Sequence, residues 1–167
     1  MATTLQISVE EYLRTSFPDG DRDYLDGEVL ERNVGSIRHS KVQREIVELF
    51  GGLRQKLPLF AFPELRVRIA PRRFRILDVA IYADHEPADE VPSEPPLIAI
   101  EIVSREDHYT DLLEKLEEYR QWGAAHVWLL DPWLRKASVY RSGSLEEADV
   151  LPIPEQGVEI RAVALFG

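Results

Sequence analysis

Cysteine is missing from all 167 residues. Its absence excludes disulfides and thiolate metal sites, and it suits a reducing compartment. No apolar run approaches the roughly 20 residues that a membrane helix needs. Met1-Ala2-Thr3-Thr4-Leu5 has neither the basic flank nor the apolar stretch of a secretory signal. A soluble, cytoplasmic chain with no membrane partner is therefore expected. Positive charge is scarce, with 20 Lys and Arg against 30 Asp and Glu, a net charge of −10. That balance argues against a general nucleic-acid coat, which needs clustered cations. Internal repeats and low-complexity tails are also lacking.

What is present is enough apolar residue, 44% of the chain, to bury one ordinary core, so a single domain over 1–167 is expected. Two acids interrupt that apolar content. The first lies in Ile76-Leu77-Asp78-Val79-Ala80-Ile81-Tyr82, the second in Leu97-Ile98-Ala99-Ile100-Glu101-Ile102-Val103. Apolar runs of this length, bounded by proline and glycine, read as strands buried on both faces. A lone carboxylate there costs several kcal/mol or takes up a proton. Two side by side also repel. A hard divalent cation between them resolves both problems, so Asp78 and Glu101 read as metal ligands.

The other elements follow from pattern. Ser8 and Glu11 form a capping box for a short helix over Val9–Leu13. Pro18-Asp19-Gly20 is a turn, and Tyr24 to Glu31 is a hairpin with Asp26-Gly27 at its tip. Val42, Ile46, Leu49, Phe50, Leu53 and Leu57 recur at helical spacing, which predicts a helix over 37–57, weakened at Gly51-Gly52. Leu65–Ile69 alternates as a half-exposed strand. Residues 84–96 are acidic and proline-rich, hence a surface loop. A second helix over 107–122, with the stripe Tyr109, Leu112, Leu113, Leu116 and Tyr119, stops at Gly123. Val127–Leu130 is a buried strand, parallel to the Glu101 strand through a βαβ crossover. Ala137–Arg141 and 158–165 read as edge strands. The fold class is α/β, a mixed central sheet flanked by helices.

Lys115 lies about 90° from the centre of the second helix's apolar stripe, on its flank with His108 and Asp111. Its stem can run along the core and bring the ammonium to the sheet edge near Glu101. Equally, it can pair with Asp111 or Glu118 on a solvated face. In the first case the parts amount to two carboxylates, a metal and an ammonium, a set suited to hydrolysing a phosphodiester.

These stretches resemble the Uma2 family (DUF820), restriction-type endonucleases of the PD-(D/E)XK superfamily. The resemblance is carried by Tyr24-Leu25-Asp26-Gly27-Glu28, by His39, and by Leu77-Asp78-Val79. It continues through Pro96 to Ser104 with Asp111, Lys115-Leu116, Tyr119, Gly123 and Trp128-Leu129-Leu130-Asp131-Pro132. It covers roughly residues 8–142. It implies an αβββαβ restriction-endonuclease-like core over about 24–142 and metal-dependent hydrolysis of DNA with Mg²⁺ or Mn²⁺. It implies Asp78 and Glu101 as metal ligands, with the Ile102 carbonyl as a backbone ligand, and His39 and Glu28 completing the site. The superfamily's usual lysine position, two after the Glu, is Val103 here, and Lys115 is the candidate replacement. By analogy with restriction-type folds, a homodimer is expected.

Five arginines, Arg66, Arg68, Arg72, Arg73 and Arg75, fall within ten positions. They read as phosphate contacts to DNA or as a solvated hairpin edge. Trp128 and Tyr119 read as core, and Trp122 and Trp133 as exposed interface candidates. Two rivals to the nuclease remain: a catalytically inactive nuclease fold that binds DNA or protein, favoured by the net charge, and a hydrolase of some other phosphate ester.

Overall fold

The computed structural model describes residues 6–18, 20–33 and 35–167. Asp19 of the expected turn and Met1–Leu5 lie outside the described residues. Helix α1 spans Val9–Arg14, and the Ser8 hydroxyl caps it by accepting the Glu11 N–H. Strands β1 (Asp23–Leu25) and β2 (Glu28–Leu30) form the hairpin. Asp26 and Gly27 at its tip both have positive φ, 52° and 105°, as a two-residue turn of this hand requires.

Helix α2 (Ile37–Leu53) is capped by Ser36 and presents His39, Val42, Ile46 and Phe50 to the interior. It runs through Gly51-Gly52 without stopping there and ends four residues earlier than its apolar spacing predicts. Strand β3 (Leu59–Ala70) starts six residues before the alternating segment, because it pairs with β4 (Arg73–Ala83) along almost its whole length. Strand β5 (Ile98–Ile102) is antiparallel to β4, and β6 (His126–Asp131) is parallel to β5, as the crossover predicts. Helix α3 (Tyr109–Trp122) makes that crossover and ends on Gly123, whose φ of 120° suits only glycine well. Strands β7 (Lys136–Arg141) and β8 (Ser144–Glu147) complete an eight-stranded mixed sheet.

Three expectations fail. Ala137–Arg141 is not an edge strand, because β7 lies between β6 and β8 and pairs with both. The segment 158–165 does not edge the main sheet. β10 (Val158–Arg161) pairs only with β9 (Val150–Ile153) in a separate two-stranded sheet, and a 3₁₀ turn follows over Ala162–Leu165. Tyr109 belongs to the α3 stripe by spacing, yet it is 66% exposed. It sits at the helix's first position, beyond the reach of the sheet that covers Leu112, Leu116 and Tyr119.

Helix α2 covers one face of the sheet with Val79, Ile81, Ile98, Ile100 and Ile102. Helix α3 covers the other with Ala80, Tyr82, Ala99, Val127 and Leu129. At about 25 cal/mol per Å² of apolar surface, these two layers dominate folding. Among the described residues no helix is long and apolar enough to cross a membrane.

One feature of the sheet positions the site. Strand β4 shares one edge between two neighbours. Tyr24 and Leu25 of β1 pair with Phe74 and Arg73 at its start, and Ile98–Ile100 of β5 pair with Val79–Ile81 nearer its end. Between them residues 75–78 have no strand on that edge. The Ile76 N–H is satisfied there by Asp23 Oδ1 at 3.0 Å.

Candidate active site

Asp78 occupies the last position of that gap. Continuing the β4–β5 register by one places Glu101 opposite it. Instead of a ladder bond, the Ile102 N–H donates to Asp78 Oδ2 at 2.8 Å. The acid thus substitutes for backbone where the two strands part. On the far edge of β4, Glu64 faces Asp78 from β3 with φ of 50°, a left-handed conformation that costs a non-glycine residue about 1 kcal/mol or more. Strict alternation would put Leu77 with Val79 and Ile81. It packs instead with Ala80 and Tyr82, and its partner Leu65 joins the same layer. The pleat is therefore broken in both strands at Glu64 and Asp78. The Asp78 carbonyl is met by the Gln43 side-chain amide at 2.9 Å.

Both acids are buried, each 3% exposed. Neither is alone. Asp78 Oδ1 accepts from Arg32 at 3.1 Å, and Asp78 Oδ2 lies 3.3 Å from His39 Nε2. Glu101 Oε1 accepts the Tyr119 hydroxyl at 2.7 Å, and Glu101 Oε2 accepts Lys115 Nζ at 3.3 Å. Arg32 also donates to Glu64 Oε2 at 2.6 Å, and Gln43 to Glu64 Oε1 at 3.0 Å. The carboxylates meet at the wall of a pocket of about 400 Å³ that Ile102, Asp111 and Lys115 also line.

The environments drive the two acids apart. Burial works to raise Asp78, but His39, Lys115 and Arg32 outweigh it and hold the carboxyl below its usual range. Burial raises Glu101 to about 8; Asp78 adds to the rise, while Lys115 and Tyr119 oppose it. Burial works to lower Lys115 and His39. Glu101 prevails at the ammonium and Asp78 at the imidazole, and both groups rise. One neighbouring carboxyl is held ionised and the other is biased towards its proton, a division seen where acids do chemistry.

Asp78, Glu101, Lys115 and His39 are thus brought together, and Ile102 lies beside them. Lys115 makes neither of the solvated-face pairings open to it. Glu118 instead binds Arg73 and Arg75. Glu28 is not brought there. It is exposed on β2, paired with Leu25 and bridged to Gln6, outside the pocket lining. The arginine run is largely spent within the protein. Arg75 is buried on Asp23 (3.0 Å) and Glu118 (2.8 Å), so it is not free for phosphate. Arg66 pairs with Asp21, Arg73 with Asp26 and Glu118, and Arg68 donates to the Pro71 carbonyl. Arg72 is exposed and forms no ion pair among the described residues.

Sequence reasoning missed Arg32, Gln43 and Glu64, and it read Tyr119 as core only. Gln43 had a signal: it follows His39 by one helical turn, so the two share a face. Arg32 and Glu64 had none, because their loop and backbone break exist only in the assembled sheet.

A family model described as Uma2, "Putative restriction endonuclease", matches residues 9–166. The chain belongs to the Uma2 family. Among solved structures it is similar to one from Anabaena variabilis ATCC 29413, described as "a putative nuclease belonging to DUF820". The TM-score is 0.80 at 21% identity, covering 96% of this chain and 97% of that one. At that identity the likeness establishes a shared fold, the α/β architecture of a mixed central sheet flanked by helices. No curated protein matches.

Proposed function

We propose that this Uma2 chain is a metal-dependent endodeoxyribonuclease, working as a single domain in the cytoplasm and as a homodimer. The observation that carries the reading is the convergence of Asp78, Glu101 and Lys115 on one pocket at the gap in the sheet. Among the described residues no group of three His, Cys, Asp or Glu side chains forms a metal cage. Mg²⁺ and Mn²⁺ do not need one. Mg²⁺ commonly takes one or two carboxylates and keeps several waters, and Asp78 and Glu101 with the Ile102 carbonyl match that demand. When bound, such a cation supplies Lewis acidity to a phosphate and its attacking water.

The chain's own groups do the rest. Arg32, His39 and the Ile102 N–H hold Asp78 ionised and fix its oxygens. Tyr119 orients Glu101 from below. Lys115 keeps a positive charge at the pocket wall, where it can position the incoming water or meet charge growing on the phosphate oxygens. Water adds its oxygen to phosphorus, one phosphorus–oxygen ester bond breaks, and the leaving oxygen takes a proton.

Calorimetry with Mn²⁺ and a plasmid-nicking assay test this together. The wild type is expected to bind the ion and cut, and Asp78→Ala to do neither. Metal binding unaltered by Asp78→Ala ends the proposal. The second reading is an inactive nuclease fold that binds nucleic acid or protein. It is favoured by one observation: Arg32, His39 and Lys115 already neutralise both carboxylates.

A further inference from the structure

Of the five arginines expected to meet phosphate, Arg66, Arg73 and Arg75 are paired with acids and Arg68 with a carbonyl, so that run leaves little beyond Arg72 to hold a strand. In open α/β sheets ligands gather beyond the carboxyl ends of parallel strands. β5 and β6 are the parallel pair, and the loops that leave them carry Ser104–Glu106 and Trp133. These loops and the first turn of α2 enclose a second hollow of about 290 Å³, lined by Ile37, Arg38, Arg105 and Trp133 among others. Ser104 and Glu106 line this hollow and the Asp78–Glu101 pocket alike, so the two are contiguous.

The face has an unusual make-up for an acidic protein. The Arg105 guanidinium lies 5.5 Å from the centre of the Trp133 ring. Neither Arg105 nor Arg38 forms an ion pair among the described residues, and both are exposed. Ile37 is 75% exposed and Leu134 67%, the two most exposed large apolar side chains among those described. Trp133 is not loosely displayed. Asp131 Oδ1 accepts the Trp133 and Leu134 N–H groups at 2.8 and 2.9 Å, which fixes the turn that presents the ring. Uncompensated cations beside an aromatic plane complement phosphates and bases together, and that pairing is characteristic of single-strand binding. In a duplex the base faces are already stacked and not available.

We propose that this face receives a single-stranded stretch of nucleic acid. One base stacks on the Trp133–Arg105 platform, and the flanking phosphates meet Arg38 and Arg105. The inference rests on the nuclease reading and deepens it, since a strand on this face continues directly to the carboxylates. The preferred substrate is then a junction, flap or single strand, with the scissile bond beside an unpaired base.

The test is anisotropy of a labelled single-stranded oligonucleotide of about 12 nucleotides, and of its duplex, on the full chain with Ca²⁺. The single strand is expected to bind more tightly. Trp133→Ala should weaken it roughly tenfold, Trp133→Phe should restore most of the loss, and Arg38→Glu with Arg105→Glu should weaken it and flatten its salt dependence. Lys56→Glu, an exposed position past the far end of α2 from Arg38, should leave it unchanged. Equal affinity for duplex, indifference to Trp133→Ala, or an equal loss in Lys56→Glu overturns the inference. So does a self-associating chain that Ile37→Asp, at an exposed position, turns into a monomer. Nicking by wild type and Asp78→Ala is scored separately. Loss of the binding pattern with cleavage intact removes only this inference, and loss of cleavage with the pattern intact removes only the nuclease.

Discussion

Two charged clusters are buried three residues apart on β4, and they are built differently. Around Arg75, two carboxylates close on one guanidinium at 2.8 and 3.0 Å, and Asp23 also caps the Ile76 amide. Around Asp78 and Glu101, two carboxylates meet Arg32, His39 and Lys115 at 3.1 to 3.3 Å. The first cluster stitches β1 to β4 and α3 with short contacts, and none of Asp23, Arg75 and Glu118 has a positive φ. The second sits where the pleat breaks, and the ion pairs to Asp78 and Glu101 are longer. Burial of charge is common to both, so burial alone does not mark a site. What separates them is the break in the pleat at Glu64 and Asp78, which the Arg75 cluster lacks.

Four measurements break or sharpen that contrast. The largest effect is expected from Glu101→Gln, which should lower metal-dependent cleavage about a thousandfold or more, on the order of 4 kcal/mol, with little change in the unfolding midpoint. A folded variant that still cuts at near wild-type rate would remove Glu101 from the chemistry. Arg75→Met should do the opposite, leaving Asp23 buried without its cation and Glu118 with Arg73 alone, and costing about 3–5 kcal/mol in urea unfolding. A loss below about 1 kcal/mol would make that cluster no more structural than a surface pair.

The third concerns pH. Glu101 is raised to about 8, so a cation must expel its proton at lower pH. Mn²⁺ affinity should climb about tenfold per pH unit towards pH 8 and level off above it. The same shift has a stability sign. The folded protein holds this proton more tightly than the unfolded chain does, so the metal-free protein loses this contribution as pH rises from 4.5 towards 8. A pH-independent metal affinity would contradict both. The smallest effect belongs to Tyr119→Phe, about 1 kcal/mol by loss of one hydrogen bond to Glu101, seen as a small drop in thermal midpoint and a further rise in the Glu101 pKa.

The contrast also explains what was legible in the sequence. Asp78 and Glu101 stood out because each interrupts a continuous apolar strand, a local signal. The crossover from β5 through α3 to β6 followed from periodicity and Gly123, also local. Lys115 needed helix geometry and then a choice between Glu101 at the sheet edge and two acids on a solvated face, and only the packed sheet made that choice. Arg75 was invisible as a buried residue, since its strand neighbours look like a basic edge and its partners, Asp23 and Glu118, lie 52 and 43 positions away. Glu64 could not be read at all, because its left-handed turn follows from the fit of β3 against β4. The segment 158–165 reads as an edge strand because alternation reports a strand, not its neighbour, and β10 pairs with β9 alone.

Strand β4's change of neighbour leaves two main-chain amides, Ile76 and Ile102, fastened to acid side chains instead of carbonyl oxygens. Protection of the Ile102 amide against deuterium uptake is thereby tied to ionisation of Asp78, a carboxyl held below its usual range. Neighbouring ladder amides lack that dependence. The molecule carries a built-in gauge: as acid is added, this position should open to exchange ahead of the strands on either side.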